Sequence, residues 1–211
     1  WEAHNPGNTE QLDHGAWAAF LKEYLVPGGP REVNLVDYAA VTSQDKRQLD
    51  SYVQRLEDTD VSALSRPEQF AYWVNLYNAV TVQLILDHYP VDSIRDIKLG
   101  GLFSSGPWKE KLLEIEGEPV SLDDVEHRIL RPIWQDPRIH YALNCASIGC
   151  PNLQPVPFTR DNAEELLNKG AKAYINSDRG VDDRNGRLYL SSIYDWFQQD
   201  FGGSEEGVIA H

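Results

Sequence analysis

The chain has 211 residues, 41% of them hydrophobic and 25% charged, so it can bury a core and is not expected to be disordered. Its formal net charge of −14 argues against nucleic acid or anionic lipid as a partner, because both require a basic face. No apolar run approaches the roughly 20 residues of a membrane-spanning helix. We therefore expect one domain over residues 1–211, with no membrane-spanning segment.

The N-terminus of the sequence bears on how the protein is processed. The sequence contains no methionine and begins at Trp1. We expect a segment before Trp1 to have been removed or left out of this sequence, and a cleaved signal peptide is one candidate. The two cysteines are compatible with an oxidising compartment.

Apolar residues recur at helical spacing in the N-terminal half of the chain. They predict helices over residues 13–24, 43–56 and about 66–88. The third segment is apolar on nearly every side, so it is predicted to be a buried central helix. Ser65 and Glu68 have the spacing of a capping box at its start.

The middle of the chain begins with an irregular stretch. Residues 92–108 are rich in glycine and serine and are expected to form a flexible loop or lid. The segment KLLEIEGEPV, residues 111–120, alternates around a Glu-Gly turn and predicts a pair of strands. Ser121 is then expected to cap a helix over residues 122–134.

The C-terminal half again mixes strands and helices. By composition, RIHYALNC at 138–145 is predicted to be a strand. The dipeptide Asn185-Gly186 between two extended runs predicts a hairpin. Further helices are predicted over 161–176 and 192–201. Together these elements predict an α+β fold in which helices and a small antiparallel sheet surround the central helix.

Four segments, in this order, resemble the domain of unknown function 547 family. They are FAYWVNLYNAVTVQLIL, SLDDVEHRILRP, DPRIHYALNCASIGCPNL and LYLSSIYDWFQQDF. The resemblance extends over about residues 10–201 and is densest from 65 to 155. Family members are often bacterial envelope or secreted proteins, while others form the C-terminal part of larger plant proteins. The resemblance thus implies a periplasmic or secreted location. It also implies that a C-terminal segment following His211 is missing here.

The segment HYALNCASIGCP, residues 140–151, holds both cysteines. Cys145 and Cys150 can form a disulfide if the turn brings their Cα atoms within about 6 Å. The alternatives are a reactive thiol, two inert buried thiols, or part of a metal site. The Cys-x4-Cys spacing matches neither a redox Cys-x-x-Cys motif nor a paired zinc motif, so no metal ligand is predicted.

Chemistry at Cys145 requires a base, and the predicted strand decides which histidine can supply it. An extended strand would separate His140 and Cys145 by roughly 16 Å, so these two residues are not expected to cooperate. His127, on the preceding helix, is the alternative base. Asn75 and Asn78 share one face of the central helix, and two buried amides indicate either a polar pocket or hydrogen bonds to loop backbone that hold residues 92–108 in place.

Cysteine, histidine and asparagine from separate elements match the thiolate, base and orienting amide of papain-like enzymes. A papain-like or transglutaminase-like arrangement is therefore included in the fold prediction, by analogy. The favoured function is a cysteine-dependent hydrolase or acyl transferase acting on a small peptide-like or thiol substrate. No cofactor is expected. The predicted catalytic residues are Cys145, His127 and Asn75, the predicted substrate-binding residues are Asn78, Asn144, Ser147, His140 and Cys150, and backbone amides from Ala146 to Gly149 are the predicted anion hole.

Two other functions compete with this hypothesis. The first is a non-catalytic ligand-binding module of the cell envelope, in which a Cys145–Cys150 disulfide shapes a ligand loop. The second is a metal-dependent enzyme that uses His127, His140 and a cysteine. In the favoured function and in the first of these two, the expected partner is a small-molecule or peptide ligand.

Overall fold

The computed structural model describes residues 1–99 and 106–211. Within these residues, helices surround one long buried helix and the strands form three two-stranded antiparallel sheets. The α-helices are α1 (Gly15–Tyr24), α2 (Ser43–Glu57), α3 (Arg66–His88), α4 (Leu122–Asp124), α5 (Arg131–Trp134), α6 (Ala163–Ile175), α7 (Ser192–Trp196) and α8 (Glu205–Ala210). The strands are β1 (Leu25–Val26), β2 (Leu35–Val36), β3 (Leu113–Ile115), β4 (Glu118–Val120), β5 (Val181–Arg184) and β6 (Arg187–Leu190). The α+β prediction is confirmed.

Helix α3 is the central element, as its sequence predicts. All residues from 68 to 82 are buried, because apolar side chains cover every side of the helix. The predicted capping box is wrong: the Ser65 side chain makes no cap hydrogen bond. The Glu68 carboxylate instead accepts a hydrogen bond from the Leu12 amide at 2.8 Å, which ties the segment before α1 to the central helix.

Helices α1 and α2 cover one side of α3. They contribute Trp17, Phe20, Leu49 and Tyr52 to the core, and all four side chains are buried. At the start of α2, the Thr42 side chain accepts a hydrogen bond from the backbone of the third following residue, which is an N-cap. The predicted bounds of both helices agree with the structure to within two residues.

The β3–β4 hairpin leads into the helical segment that carries part of the site. Glu116 and Gly117 turn the chain with φ values of 51° and 80°, which a tight hairpin requires. Ser121 and Asp124 then form a capping box at the start of α4, so a helix begins where the sequence predicts. A π-helix (Val125–Leu130) joins α4 to α5.

The predicted strand at 138–145 is wrong. The chain forms a 3-10 helix over Pro137–Tyr141 and continues without regular structure. Asp136 accepts a hydrogen bond from the Arg138 amide at 2.8 Å, and Pro137 fixes the first helical position. This Asp-Pro turn outweighs the strand preference of the following isoleucine and tyrosine.

The remaining predictions have mixed outcomes. The hairpin at Asn185-Gly186 is confirmed, and both residues have the positive φ that its turn needs. Helix α7 ends at Trp196, five residues before the predicted end, and α8 was not predicted. The described part of 92–108 includes a 3-10 helix (Ile94–Asp96), while residues 100–105 of the predicted lid lie outside the described residues. Within the described ranges, no helix is long and apolar enough to cross a bilayer.

His14 gives the fold a predictable response to acid. It is buried, and its Nδ1 lies 2.7 Å from the Tyr52 hydroxyl. Burial lowers the pKa of His14 from 6.5 to about 4, although the charge of Asp13 acts in the opposite direction. The unfolded chain therefore binds a proton near pH 6.5 that the folded chain does not bind until about pH 4.

We expect the free energy of unfolding to fall as the pH is lowered from 6.5 to 4, with His14 contributing up to about 3 kcal/mol of the loss. His14→Gln removes this contribution, so its urea-unfolding free energy will depend less on pH in this window. His88→Gln, at an exposed histidine, is the control and will follow the wild-type curve. Parallel curves for wild type and His14→Gln would contradict the assignment.

Candidate functional site

A cavity of about 900 Å³ opens beside the C-terminal half of α3, within the size range of small-molecule sites. Several segments that are distant in sequence line it. They include Tyr77 of α3, the turn at Ile94, the π-helix, the 3-10 helix that carries His140, the cysteine loop 145–151, α7 and the following Phe197. Of the residues predicted for the site, His127, His140, Cys145, Ser147 and Cys150 line this cavity.

His140 is a buried ionisable residue of the cavity wall, with a side chain only 3% exposed. Its Nε2 lies 2.7 Å from Asp200 Oδ2, and its ring stacks on Phe197 with centroids 4.3 Å apart. Its Nδ1 lies 3.6 Å from Glu126 Oε1. Both ring nitrogens thus face carboxylates, and stacking fixes the plane of the ring.

Glu126 is the second acid–base group of the cavity, and its side chain is 16% exposed. Burial acts to raise its pKa, but the hydrogen bond to His140 and the charges of His127, His140 and Arg131 lower the pKa below its ordinary value. The hydroxyl of Tyr77 lies 3.5 Å from Glu126 Oε2. Burial and the Glu126 charge raise the pKa of Tyr77 well above its ordinary value, so Tyr77 stays neutral and its hydroxyl donates a hydrogen bond to this carboxylate.

Arg131 connects the two histidines. Its Nε donates to Asp200 Oδ2 at 2.6 Å, and its guanidinium lies over Phe197, 4.6 Å from the ring centroid. Burial acts to raise the pKa of Asp200, but Arg131 and His140 lower it below its ordinary value. Asp200 is therefore an anion that orients His140, as a carboxylate orients the histidine of a catalytic dyad.

The same guanidinium determines the tautomer of His127. Arg131 NH1 lies 3.0 Å from His127 Nδ1, and because arginine can only donate, this nitrogen is the acceptor. Neutral His127 then carries its proton on Nε2, which lies 3.8 Å from Asp123 Oδ1. In this arrangement neutral His127 can donate a hydrogen bond through Nε2, and its role as a base stays a prediction.

Cys145 and Cys150 form a disulfide, with Cα atoms 6.3 Å apart. Both residues are half-buried and line the cavity. The bond closes a loop so short that the chain-entropy model gives it on the order of 2 kcal/mol of stabilisation. A disulfide sulfur is not a thiolate, so a nucleophilic role for Cys145 requires the reduced form.

Asn75 and Asn78 do not line the cavity. Asn75 Nδ2 donates to the Phe158 carbonyl at 2.7 Å, and the Phe158 amide donates to Asn75 Oδ1 at 2.9 Å. Asn78 makes the equivalent pair of bonds, to the Ala142 carbonyl and from the Asn144 amide, both at 2.9 Å. Each amide serves as a backbone partner for a loop segment. Catalytic or substrate-binding roles for Asn75 and Asn78 remain predictions that this geometry does not favour.

Asn144 shapes the cysteine loop from inside. Its Nδ2 donates to the Pro151 carbonyl at 2.9 Å, and its Oδ1 accepts from the Ala146 amide at 3.0 Å. The Ala146 amide is thereby removed from the predicted anion hole. The amides of Ser147 and Gly149 have no partner in the part of the chain that the structure describes.

Sequence reasoning missed Glu126, Arg131 and Asp200 as site residues. The π-helix gives a local reason why Glu126 and its neighbour both line the cavity: its wider turn, closed by the Arg131 amide on the Glu126 carbonyl, brings successive side chains closer around the helix axis. The adjacent Glu126 and His127 were therefore the sequence feature that could have indicated Glu126 as a site residue. Asp200 reaches the site from the C-terminal region, and no local pattern predicts that contact.

Among residues 1–99 and 106–211, no three His, Cys, Asp or Glu side chains are grouped so that they could hold a metal ion. The two histidines are instead engaged with carboxylates and a guanidinium. The metal-dependent alternative thus has no ligand set within the described residues.

The fold and the cavity define an α+β domain with a buried acid–base cluster beside a disulfide. Residues 61–175, more than half of the chain, match the family model described as protein of unknown function, DUF547. The chain belongs to this family, and the resemblance drawn from its motifs is confirmed. No match was found among curated proteins or among solved structures.

The double hydrogen bond of Asn75 has a measurable consequence. We expect Asn75→Ala to lower the free energy of unfolding by about 2–4 kcal/mol, because it leaves the buried N–H and C=O of Phe158 without partners. Gln48→Ala, at an exposed position of α2, is the control and should change stability by less than about 0.5 kcal/mol. Urea unfolding monitored by circular dichroism measures both, and equal effects would contradict the structural role of Asn75.

Proposed function

We propose that the chain binds a small peptide-like or thiol-containing molecule in this cavity and acts on it as a hydrolase or acyl transferase. One observation carries the proposal: Glu126 and His140 lie in the wall of a cavity that also contains Cys145, and His140 is bonded in turn to Asp200, so the three form a connected acid–base line. Buried titratable groups that face each other in a cleft are typical of catalytic sites.

His140 is the proposed proton carrier. With Nε2–H donated to Asp200, its Nδ1 can take a proton from a nucleophile and later return it to a leaving group. Glu126, 3.6 Å from Nδ1, stabilises the imidazolium that forms between these two steps. Arg131 keeps Asp200 ionised, so the orientation of His140 is maintained throughout the cycle.

Cys145 is the proposed nucleophile once its disulfide with Cys150 is reduced. Its thiolate attacks the substrate carbonyl, and the tetrahedral oxyanion accepts hydrogen bonds from the amides of Ser147 and Gly149. The leaving group departs with the proton from His140, leaving an acyl-enzyme. Water, deprotonated by the same imidazole, releases the acid, or an acceptor molecule takes the acyl group.

A non-catalytic ligand-binding module is the alternative, and the Cys145–Cys150 disulfide is the observation that favours it. In that case the disulfide fixes one wall of the cavity and no thiolate forms. A periplasmic or secreted location belongs to both proposals, because disulfides persist in oxidising compartments. The papain-like or transglutaminase-like arrangement also remains a proposal, by analogy with the cysteine–histidine chemistry.

The test is hydrolysis of para-nitrophenyl acetate and of an N-acetylated amino acid para-nitroanilide, with and without a phosphine reductant. We expect turnover in the wild type only after reduction, and in Cys150→Ala without reductant, because this variant leaves Cys145 free. Cys145→Ala abolishes turnover. His140→Gln lowers kcat about 100-fold or more, while the exposed control His88→Gln leaves it unchanged.

Circular dichroism establishes that each variant is folded. Equal turnover by Cys145→Ala and the wild type would exclude the nucleophile, and a folded, inactive Cys150→Ala variant would favour the binding module. An unchanged kcat in His140→Gln would exclude His140 as the proton carrier.

A further inference from the structure

We propose that the Cys145–Cys150 disulfide is a thiol–disulfide exchange centre that small thiols reach through the cavity. Both cysteines are half-buried and line the cavity wall. A thiolate entering the cavity can therefore contact a sulfur atom without unfolding the chain. Access of this kind distinguishes an exchangeable disulfide from a structural one buried in a core.

The cysteine loop 145–151 does not depend on the disulfide for its shape. The Asn144 side chain bonds to the backbone at both ends of the loop, as described above. The Tyr174 hydroxyl donates to the Gly149 carbonyl at 2.8 Å, and Arg179 NH1 donates to the Cys150 carbonyl at 2.6 Å. None of these bonds involves a sulfur atom, so reduction should change the chemistry of the cavity wall while the backbone of the loop keeps its conformation.

Arg179 assigns different roles to the two sulfurs. The residue is 9% exposed, and its described hydrogen bonds go only to neutral oxygens, those of Ile148, Cys150 and Asn152. The charges of Asp178 and Glu32 act on Arg179, but no carboxylate among the described residues accepts a hydrogen bond from it, and its guanidinium donates to the backbone carbonyl of Cys150. A nearby cation stabilises a thiolate, so Cys150 is the better leaving group.

The exchange then proceeds in two balanced steps. An incoming thiolate attacks the sulfur of Cys145, a mixed disulfide forms, and Cys150 leaves as a thiolate beside Arg179. A second thiolate attacks the sulfur of the small molecule in the mixed disulfide and releases Cys145. Two small thiols are oxidised to one disulfide, the protein gains two electrons and two protons, and a small-molecule disulfide reverses the reaction.

This inference rests on the proposed function only in its consequence for turnover, since exchange would switch the nucleophile on and off. Exchange itself needs no ester substrate. Exchange without turnover would leave this inference standing and overturn the nucleophile. If turnover is activated by a phosphine but not by a thiol, the nucleophile stands and the exchange centre is overturned.

The experiment places the native protein in buffers with varied ratios of reduced to oxidised glutathione, quenches with acid, alkylates with N-ethylmaleimide and measures intact mass. We expect a reversible transition between the disulfide and the dithiol, with an unchanged circular dichroism spectrum. If glutathione reduces the protein only in urea, or if reduction unfolds it, the disulfide is a structural staple and the proposal is overturned.

Variants test the roles of the two sulfurs. At neutral pH, oxidised glutathione should modify Cys150 in Cys145→Ser faster than it modifies Cys145 in Cys150→Ser, because Arg179 keeps a larger fraction of Cys150 as the thiolate. Arg179→Gln should slow reduction of the disulfide by about tenfold relative to the wild type. Arg179→Lys, which retains the charge, should restore much of the rate, and Arg47→Gln at an exposed arginine is the control. Faster modification of Cys145, or an unchanged rate in a folded Arg179→Gln, would overturn the assigned roles.

Discussion

The cavity depends on two asparagine side chains of the central helix that bind loop backbone on opposite sides of the cysteine segment. Asn75 pairs with both the N–H and the C=O of Phe158, and Asn78 pairs with the backbone at Ala142 and Asn144. A side-chain amide that donates and accepts in this way gives the backbone the two hydrogen bonds that a neighbouring strand would otherwise supply. The backbone groups of Phe158, Ala142 and Asn144 that face the buried helix are therefore paired although their segments have no regular structure.

The acid–base cluster depends on the same anchoring, because it is assembled from segments with no local relationship. His140 and Asp200 are 60 residues apart in sequence and 2.7 Å apart in space. Burying an imidazole and a carboxylate together is favourable only when each has a partner, and Arg131 supplies the compensating charge. The cluster also joins the segment after α7 to the cavity wall, because Phe197 stacks on His140 and Asp200 is bonded to the same ring. The stacking holds the His140 ring in the plane in which it faces the carboxylates.

The sequence predicts those features that local chemistry determines. The apolar run of α3 predicts a buried helix and the Asn-Gly dipeptide of β5–β6 predicts a hairpin, and both occur. The strand prediction at 138–145 failed because β propensity is weaker than an Asp-Pro turn backed by long-range pairing. That failure affected the site as well, since extended geometry separated His140 from Cys145, whereas the folded chain places both in one cavity. Asp200 had no signal at all, because a contact between distant segments leaves no periodicity in a single sequence.

The structure also separates what holds the cysteine loop from what makes it reactive. Hydrogen bonds from Asn144, Tyr174 and Arg179 fix the backbone of the loop, while the sulfur atoms lie at the cavity wall. By restricting the unfolded chain, a disulfide that closes a long loop can contribute more than about 4 kcal/mol of stabilisation, whereas this short loop limits the contribution to about 2 kcal/mol. The position of the cysteine pair is therefore better explained by the cavity that it lines than by the stability that it adds.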